Sequence, residues 1–324
     1  MKFSTTWARA WTASVLMVLA GSAAAQQIYP SKPIRFIVPF PPGGANNILT
    51  RLLGQKLAES WGQPVIVDNR PGGNTVIGTE ALVRSPPDGY TIMLVVSTHV
   101  ITPLLLSTPY DPIRDFAPVA TVDSGELILV LNPSVPANTL QEFIALVKSR
   151  PGQFNHATPG SGGITHLAAE LFSIMTGVKM QHVPYKGGGP ALTDVIGGQV
   201  QLIFQSPPGA IPYIKSGRLK PIAVSGETRL PALPQVPTFT EAGLPGFDVK
   251  FWHGVLAPAG TPKAIIDKLS AEIARILNMA DIKEKLASQG ATPFVSTPEQ
   301  FGALMKADYA RYAKVIKTAN IKLE

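Results

Sequence analysis

Four stretches gather the groups that could act on a small molecule: "PFPPGGANN" (39–47), "VVSTHVITP" (95–103), "HATPGSGGITH" (156–166) and "FQSPPGA" (204–210). None contains a lysine, arginine, aspartate or glutamate. Each follows an apolar run and leads into a helix-like pattern. Glycines allow a backbone to approach a ligand closely. The first N–H groups of a following helix lack internal partners and sit at the positive end of its dipole. Such a helix start can hold a carboxylate with no side-chain cation. The chemistry these residue types suit is anion binding by backbone donors, hydroxyls and amides. Any one of these loops could be no more than a tight turn; four of the same character favour binding.

Catalytic constellations are missing. The chain has no G-x-S-x-G elbow, no G-x-x-x-x-G-K-[ST] phosphate loop and no H-E-x-x-H. "GSGGIT", Gly160 to Thr165, falls short of a G-x-G-x-x-G fingerprint and lacks its acidic partner. The histidines, His99, His156, His166, His182 and His253, show no metal-ligand spacing. His166 falls on the first turn of a helix, and His182 and His253 fall in strand-like runs, so all three read as structural. Asp68, Asp88 and Asp111 read as turn or strand-end residues. No acid–base pair, metal or cofactor is expected, and the chain is not expected to be an enzyme.

These loops need strands and helices to place them. "IRFIVPF" reads as a buried strand, and Ile48, Leu49, Leu52, Leu53 and Leu57 mark a helical face after it. "PVIVDN", "TVIGTEALVR" and "YTIMLVVST" continue as strand, helix, strand. A second series begins at "ELILVLN", with helices "LQEFIALVKSR", "THLAAELFSIMTG" and "PALTDVIGG" and strands "QHVPY" and "VQLIFQ". "PGAIPYIKSG" and "LKPIAVSG" extend it, and "VKFWHGVLAPAG" is a late strand. The remainder, from Pro262 to about Ile321, reads as helical, with Phe301, Leu304, Met305, Tyr309, Tyr312 and Val315 as a packing stripe. Short β-α-β units predict an α/β fold with mainly parallel sheets. Open sheets of this kind bind ligands at the carboxyl ends of their strands. Two lobes and a single large α/β domain both satisfy the pattern.

Composition limits the function classes. Lys2 and Arg9, then "WTASVLMVLAG", then "SAAA" have the form of a secretory leader cleaved after Ala25. Its apolar run is far short of the ~20 residues a membrane span needs. Loss of Lys2 and Arg9 lowers the formal charge from +7 to +5. With the basic residues scattered, nucleic-acid binding is not expected. There is no cysteine, so the fold is held by its cores alone.

The blocks "IRFIVPFPPGG", "WGQPVIVDNRPGG", "SPPDGYT", "HVPYKG", "ALTDVIGGQVQLIF", "LPQVPTFTEAGLPGF" and "GVLAPAGTP" closely resemble the Bug, or TctC-like, extracytoplasmic receptors of tripartite tricarboxylate transport systems. The match is colinear over nearly the whole chain after the leader. The resemblance implies a two-lobed periplasmic binding protein of the type II, flytrap class. Each lobe would be a mainly parallel sheet flanked by helices. Residues 1–25 would be the leader, 26–124 the first part of lobe 1, 125–250 lobe 2, and 251–324 the return to lobe 1. It also implies a ligand carboxylate held between two loops, one per lobe. By motif these supply Phe40, Pro42, Gly43, Gly44, Asn46 and Asn47 from one side, and Thr158, Gly160, Ser161, Gly162, Gly163 and Thr165 from the other. Ser97, Thr98, Gln205 and Ser206 would complete the wall.

The implied function is capture of a small carboxylate, a di- or tricarboxylate or an aromatic acid, for delivery to the membrane permease subunits of a tripartite transporter. A monomer is expected. A receptor feeding a membrane sensor and an exported hydrolase are the competing classes. Two positions depart from the family pattern: Asn47 stands where relatives often carry Asp, and Gln205-Ser206 where they often carry Asp-Asn. Both changes remove negative charge, which suits a dianionic ligand better than an amino acid; drift with no change of ligand explains them as well.

Overall fold

The structure, a computed structural model, describes residues 29–42, 45–288 and 291–318. The expected leader, Gly43 and Gly44 lie outside the described residues.

The first sheet contains β1 (Ile34–Val38), β2 (Val65–Asn69), β3 (Thr91–Val96), β4 (Phe116–Glu126), β10 (Lys250–Pro258) and β11 (Thr292–Pro293), in the order β11-β4-β10-β3-β1-β2. The second contains β5 (Ile128–Leu131), β6 (Asn155–Thr158), β7 (Gln181–Pro184), β8 (Leu202–Gln205) and β9 (Lys220–Val224), in the order β7-β6-β8-β5-β9. The chain steps from one sheet to the other at Leu127 and comes back along β10. The near-continuous burial of β1 and β3 suits strands covered by helices on both faces.

The α/β class is as the sequence predicts, but the sheets are mixed instead of mainly parallel. β1 pairs in parallel with β2 and β3, and β6 with β7 and β8. β10 is antiparallel to both β3 and β4, β11 to β4, and β5 to β8 and β9. The reason lies in the crossings: β4 carries the chain out and β10 carries it back beside it, so the two must run in opposite directions.

Helices cover both sheets. α1 (Ala45–Trp61) buries Leu49, Leu53 and Leu57 against β1 and β3, together with Leu269, Ile273 and Ile276 of a late helix, Lys263–Leu277. Ile48, expected on that face, is 45% exposed. α2 (Val76–Val83) and α3 (Thr98–Leu105) follow β2 and β3. The second sheet is flanked by α4 (Leu140–Ser149), α5 (Ile164–Thr176), α6 (Gly188–Ile196) and α7 (Pro207–Lys215). α4 starts with a reciprocal cap between Thr139 and Glu142.

Two local expectations need correction. "VVSTHVITP" is helical almost at once, because α3 begins at Thr98. Its β-branched residues and Pro103 disguise it, and burial of every residue from Thr98 to Thr102 overrides their weak propensity. The C-terminal region is also not all helix. After α8 (Lys263–Leu277) and α9 (Ala280–Ser288), β11 adds an edge to the first sheet before α10 (Pro298–Thr318).

The predicted packing stripe of α10 is real: Phe301, Met305 and Tyr312 are buried, with Leu304, Tyr309 and Val315 packed beside them. Phe301 lies so close to β10 that a Cβ at Gly254 would come within 2.2 Å of its ring, so only glycine fits there. Among the described residues, no helix is long and apolar enough to cross a membrane.

Candidate ligand-binding site

Strand-to-helix junctions of the two sheets lie close together: 39–42, 70–75 and the Ser97–Thr98 start of α3 from the first, 159–163 and 185–187 from the second. Their proximity can be read from the glycines. A Cβ at Gly163 would stand 3.4 Å from Thr98 Oγ1, one at Gly160 3.1 Å from Asn74 Oδ1, and one at Gly187 3.4 Å from Pro41 Cγ. Thr98 and Gly163, both named from sequence, therefore face each other across the sheets. Asn74, Thr75 and the 185–187 turn were not named. Their signals were the glycine-rich "RPGGNT" (70–75) and "YKGGGP" (185–190), each ahead of a helix but each carrying a cation that the four loops lack.

Asn74 and Thr75 hold left-handed backbones, φ 51° and 76°. Such strain in non-glycine residues gathers at ligand sites. Asn74 is braced by its Nδ2 donating to Thr102 Oγ1 at 3.1 Å. Two hydroxyls near this wall, Thr75 Oγ1 and Ser97 Oγ, are buried without a protein partner. A buried unpaired hydroxyl is costly and marks a place for water or ligand.

In the first loop, Asn47 is a fastener. Its Nδ2 donates to Asn69 Oδ1 at 3.0 Å, and its Oδ1 accepts from Arg51 Nε at 3.1 Å. Asn69 in turn donates to the Phe40 carbonyl at 2.9 Å. Asn46 Oδ1 lies 2.6 Å from His253 Nε2. Pro42 is exposed, and Phe40 half-buried.

The second loop is braced from behind by three stacked imidazoles. His166 and His182 have ring centroids 4.0 Å apart, and His182 and His156 5.0 Å. The Gly162 N–H donates to His166 Nδ1 at 3.0 Å, so it points away from the facing loop. That bond leaves the hydrogen of neutral His166 on Nε2, 3.6 Å from Glu170 Oε1. Thr158 Oγ1 donates to the Gly160 carbonyl at 3.0 Å and accepts from His182 Nε2 at 2.6 Å. Burial, reinforced by neighbouring imidazoles, pushes His156 down to about 3 and His182 to about 4. The hydrogen bond from His166 holds the Glu170 carboxyl below its ordinary range. The sequence reads His166 and His182 as separate structural residues and gives His156 no role; the three form one unit only because β6, α5 and β7 converge. Among the described residues, no group of three or more His, Cys, Asp or Glu could hold a metal.

The two helix starts of the second sheet differ. Gly163 caps α5 with no side chain, so the N–H groups of Ile164 and Thr165 have no capping side chain, and Thr165 is buried at the first turn. α7 opens with Pro207-Pro208, which have no N–H to give. Polar groups at that end come from the side chains of Gln205 and Ser206. Gln205 Oε1 accepts from the Ser206 N–H at 3.1 Å, which turns its Nε2 towards Gly188 and Gly209. Ser161 is half-buried in the bend between Gly160 and Gly162. The assembled junctions are rich in hydroxyls and glycines, with Arg70 and Lys186 as their charged residues.

Two mixed α/β sheets joined by two chain crossings, with loops opposed at their strand ends, define a two-lobed solute-binding protein. The family profile described as "Tripartite tricarboxylate transporter family receptor" matches residues 49–321, and the chain belongs to that family. Protein BugT of Bordetella pertussis is 38% identical over 96% of this chain and 97% of its own length. Among solved structures, R. palustris Rpa4515 with adipate superposes with a TM-score of 0.88 at 34% identity, covering 91% of this chain and 99% of that one. MatC of Rhodopseudomonas palustris with bound malate gives 0.83 at 31% identity, covering 89% and 100%.

Proposed function

We propose that this receptor captures a small di- or tricarboxylate, or an aromatic acid, in the periplasm and hands it to the membrane subunits of a tripartite permease. Residues 26–124 and 251–324 make one lobe and 125–250 the other, and the lobes close on the ligand. The observation that carries this reading is the facing of Thr98 and Gly163, where an uncapped helix start and a row of hydroxyls meet with no acidic side chain between them. Such a place attracts a carboxylate through backbone donors and the helix dipole. The adipate and malate held by two relatives support the dicarboxylate end of the range. Binding without turnover is supported by the family's description as receptors.

The test is a thermal-shift and calorimetric screen of the mature chain with adipate, malate, citrate, benzoate and glutamate. A ligand that binds only the folded form raises stability by ~2.7 kcal/mol at a hundredfold excess over its Kd. A carboxylate should raise the melting point and be recovered unchanged. A response to amino acids alone, or to none of these acids, would reject the reading.

A further inference from the structure

Two stretches of chain join the sheets, and one serine of the second sheet's side holds both. Glu126 and Lys250 form the last rung of the β4–β10 ladder. Leu127 and Val249 are the next residues beyond that rung, and β5 begins at Ile128. Ser225 follows directly on β9. The Leu127 N–H donates to Ser225 Oγ at 2.9 Å, and the Ser225 N–H donates to the Leu127 carbonyl at 2.9 Å. Ser225 Oγ in turn donates to the Val249 carbonyl. One hydroxyl therefore accepts from the outgoing crossing and gives its single hydrogen to the returning one.

The fastener is dry. Leu127, Ser225 and Val249 are 1%, 2% and 4% exposed. Hydrogen bonds are electrostatically stronger there than in water, and leaving either end unpaired is costly. Gly226, the next residue, lets this strand end come up to the crossing: a Cβ there would stand 2.3 Å from Glu126 Cγ. The first-sheet side of the rung is looser. Glu126 and Lys250 are half-buried, and Lys250 Nζ stands 3.7 Å from Glu227 and 3.8 Å from Asp248. Beside Val249, a cavity of about 50 Å³ separates Leu167 and Leu171 of α5 from Tyr312 and Val315 of α10. A void of this kind leaves side chains room to yield that a packed interior denies them.

Tied to one residue, the two crossings turn together. A rotation of the lobes then falls where the chain is free of the fastener, between Glu126 and Leu127 and between Val249 and Lys250. Hinges are commonly a few element-terminal residues that absorb the backbone change, and both steps lie at a strand end. We propose that Ser225 is the positioning residue of the hinge: its hydroxyl couples the two crossings, so that they bend as one when the lobes close. The inference rests on the closing receptor proposed above.

The chain has no cysteine, so introduced pairs can be spin-labelled selectively. The exposed positions Glu59 with Lys215, and Arg84 with Lys148, report distances between the lobes by electron–electron double resonance. In the ligand-free mature chain these distances should be narrowly distributed. Ser225→Ala should broaden them, and Ser225→Thr, which keeps the hydroxyl, should leave them narrow. Amide exchange at Leu127 should quicken at least about tenfold in Ser225→Ala, as expected for the loss of one buried hydrogen bond. Unchanged widths in Ser225→Ala, or equal broadening in Ser225→Thr, would overturn the proposal. Should Ser225→Ala fail to fold, backbone NMR of the wild type with adipate decides: Leu127 and Ser225 amides should stay protected in both states while Glu126 and Lys250 shift. Loss of protection at Leu127 in either state overturns the coupling. If adipate neither binds nor closes the lobes, the functional reading fails, and the ligand-free widths still decide on the hinge.

Discussion

The Gly162 N–H donates to Nδ1 of His166, four residues along the chain and one turn into α5, at 3.0 Å. This bond ties the glycine-rich loop to a helix rather than to anything in the cleft, and it requires an unprotonated nitrogen.

Acid should loosen the protein through its buried histidines. His156, His182 and the buried His99, the last held down to about 4 by burial, all bind protons more weakly folded than unfolded. Their stability contribution is full above the ordinary histidine range near pH 6.5 and is lost as pH falls from there towards 3–4. For the fully buried His99 the cost is on the order of 2 kcal/mol by pH 5. Glu170, depressed in the fold, loses its contribution in the same direction. Urea melts at pH 7 and pH 5 should show a clear loss, and His99→Phe should make the slope shallower. Equal midpoints at both pH values would contradict this account.

Gly163 has φ −85° and ψ 173°, a conformation open to any residue, so its value lies in space. A Cβ there would meet Thr98 Oγ1 at 3.4 Å. Gly163→Ala should fold normally with a modest loss of affinity. Gly163→Val should weaken carboxylate binding at least tenfold, or ~1.4 kcal/mol, with an unchanged circular dichroism spectrum. Titration of the three proteins side by side checks this.

Asn47→Asp bears on the family departure. Arg51 is in place to neutralise a carboxylate at 47, so ligand affinity should change less than tenfold. Stability should fall by about 1–2 kcal/mol instead. Asn69 would have to turn its amide to the new carboxylate and abandon the Phe40 carbonyl, or face it oxygen to oxygen. A large affinity change at constant melting temperature would place the new charge in the cleft after all.

Gly254→Ala should cost ~1–3 kcal/mol through overpacking, because the added methyl meets the buried Phe301 ring. Phe301→Leu in the same chain should recover part of that loss. Denaturant midpoints of the single and double variants provide the comparison.

Much of this protein is decided locally. The apolar runs of β1 and β3, the Leu49–Leu53–Leu57 stripe and the Phe301–Met305–Tyr312 stripe follow from side-chain period alone, which is set by backbone geometry within a few residues. The uncharged loops at strand ends were legible for the same reason, since glycine and a helix start are local signals. Tertiary structure decided which of those signals meet. The antiparallel half of the first sheet comes from β4 and β10 running side by side, 130 residues apart at the Asp123–His253 contact. α3 is helical because burial outweighs its β-branched residues and Pro103. His156, His166 and His182 become one stack, and His253 reaches Asn46 across 207 residues, because separate strands and helices converge on one cleft. No sequence spacing encodes such meetings; they exist only once the strands have paired and the distances between side chains are set by packing.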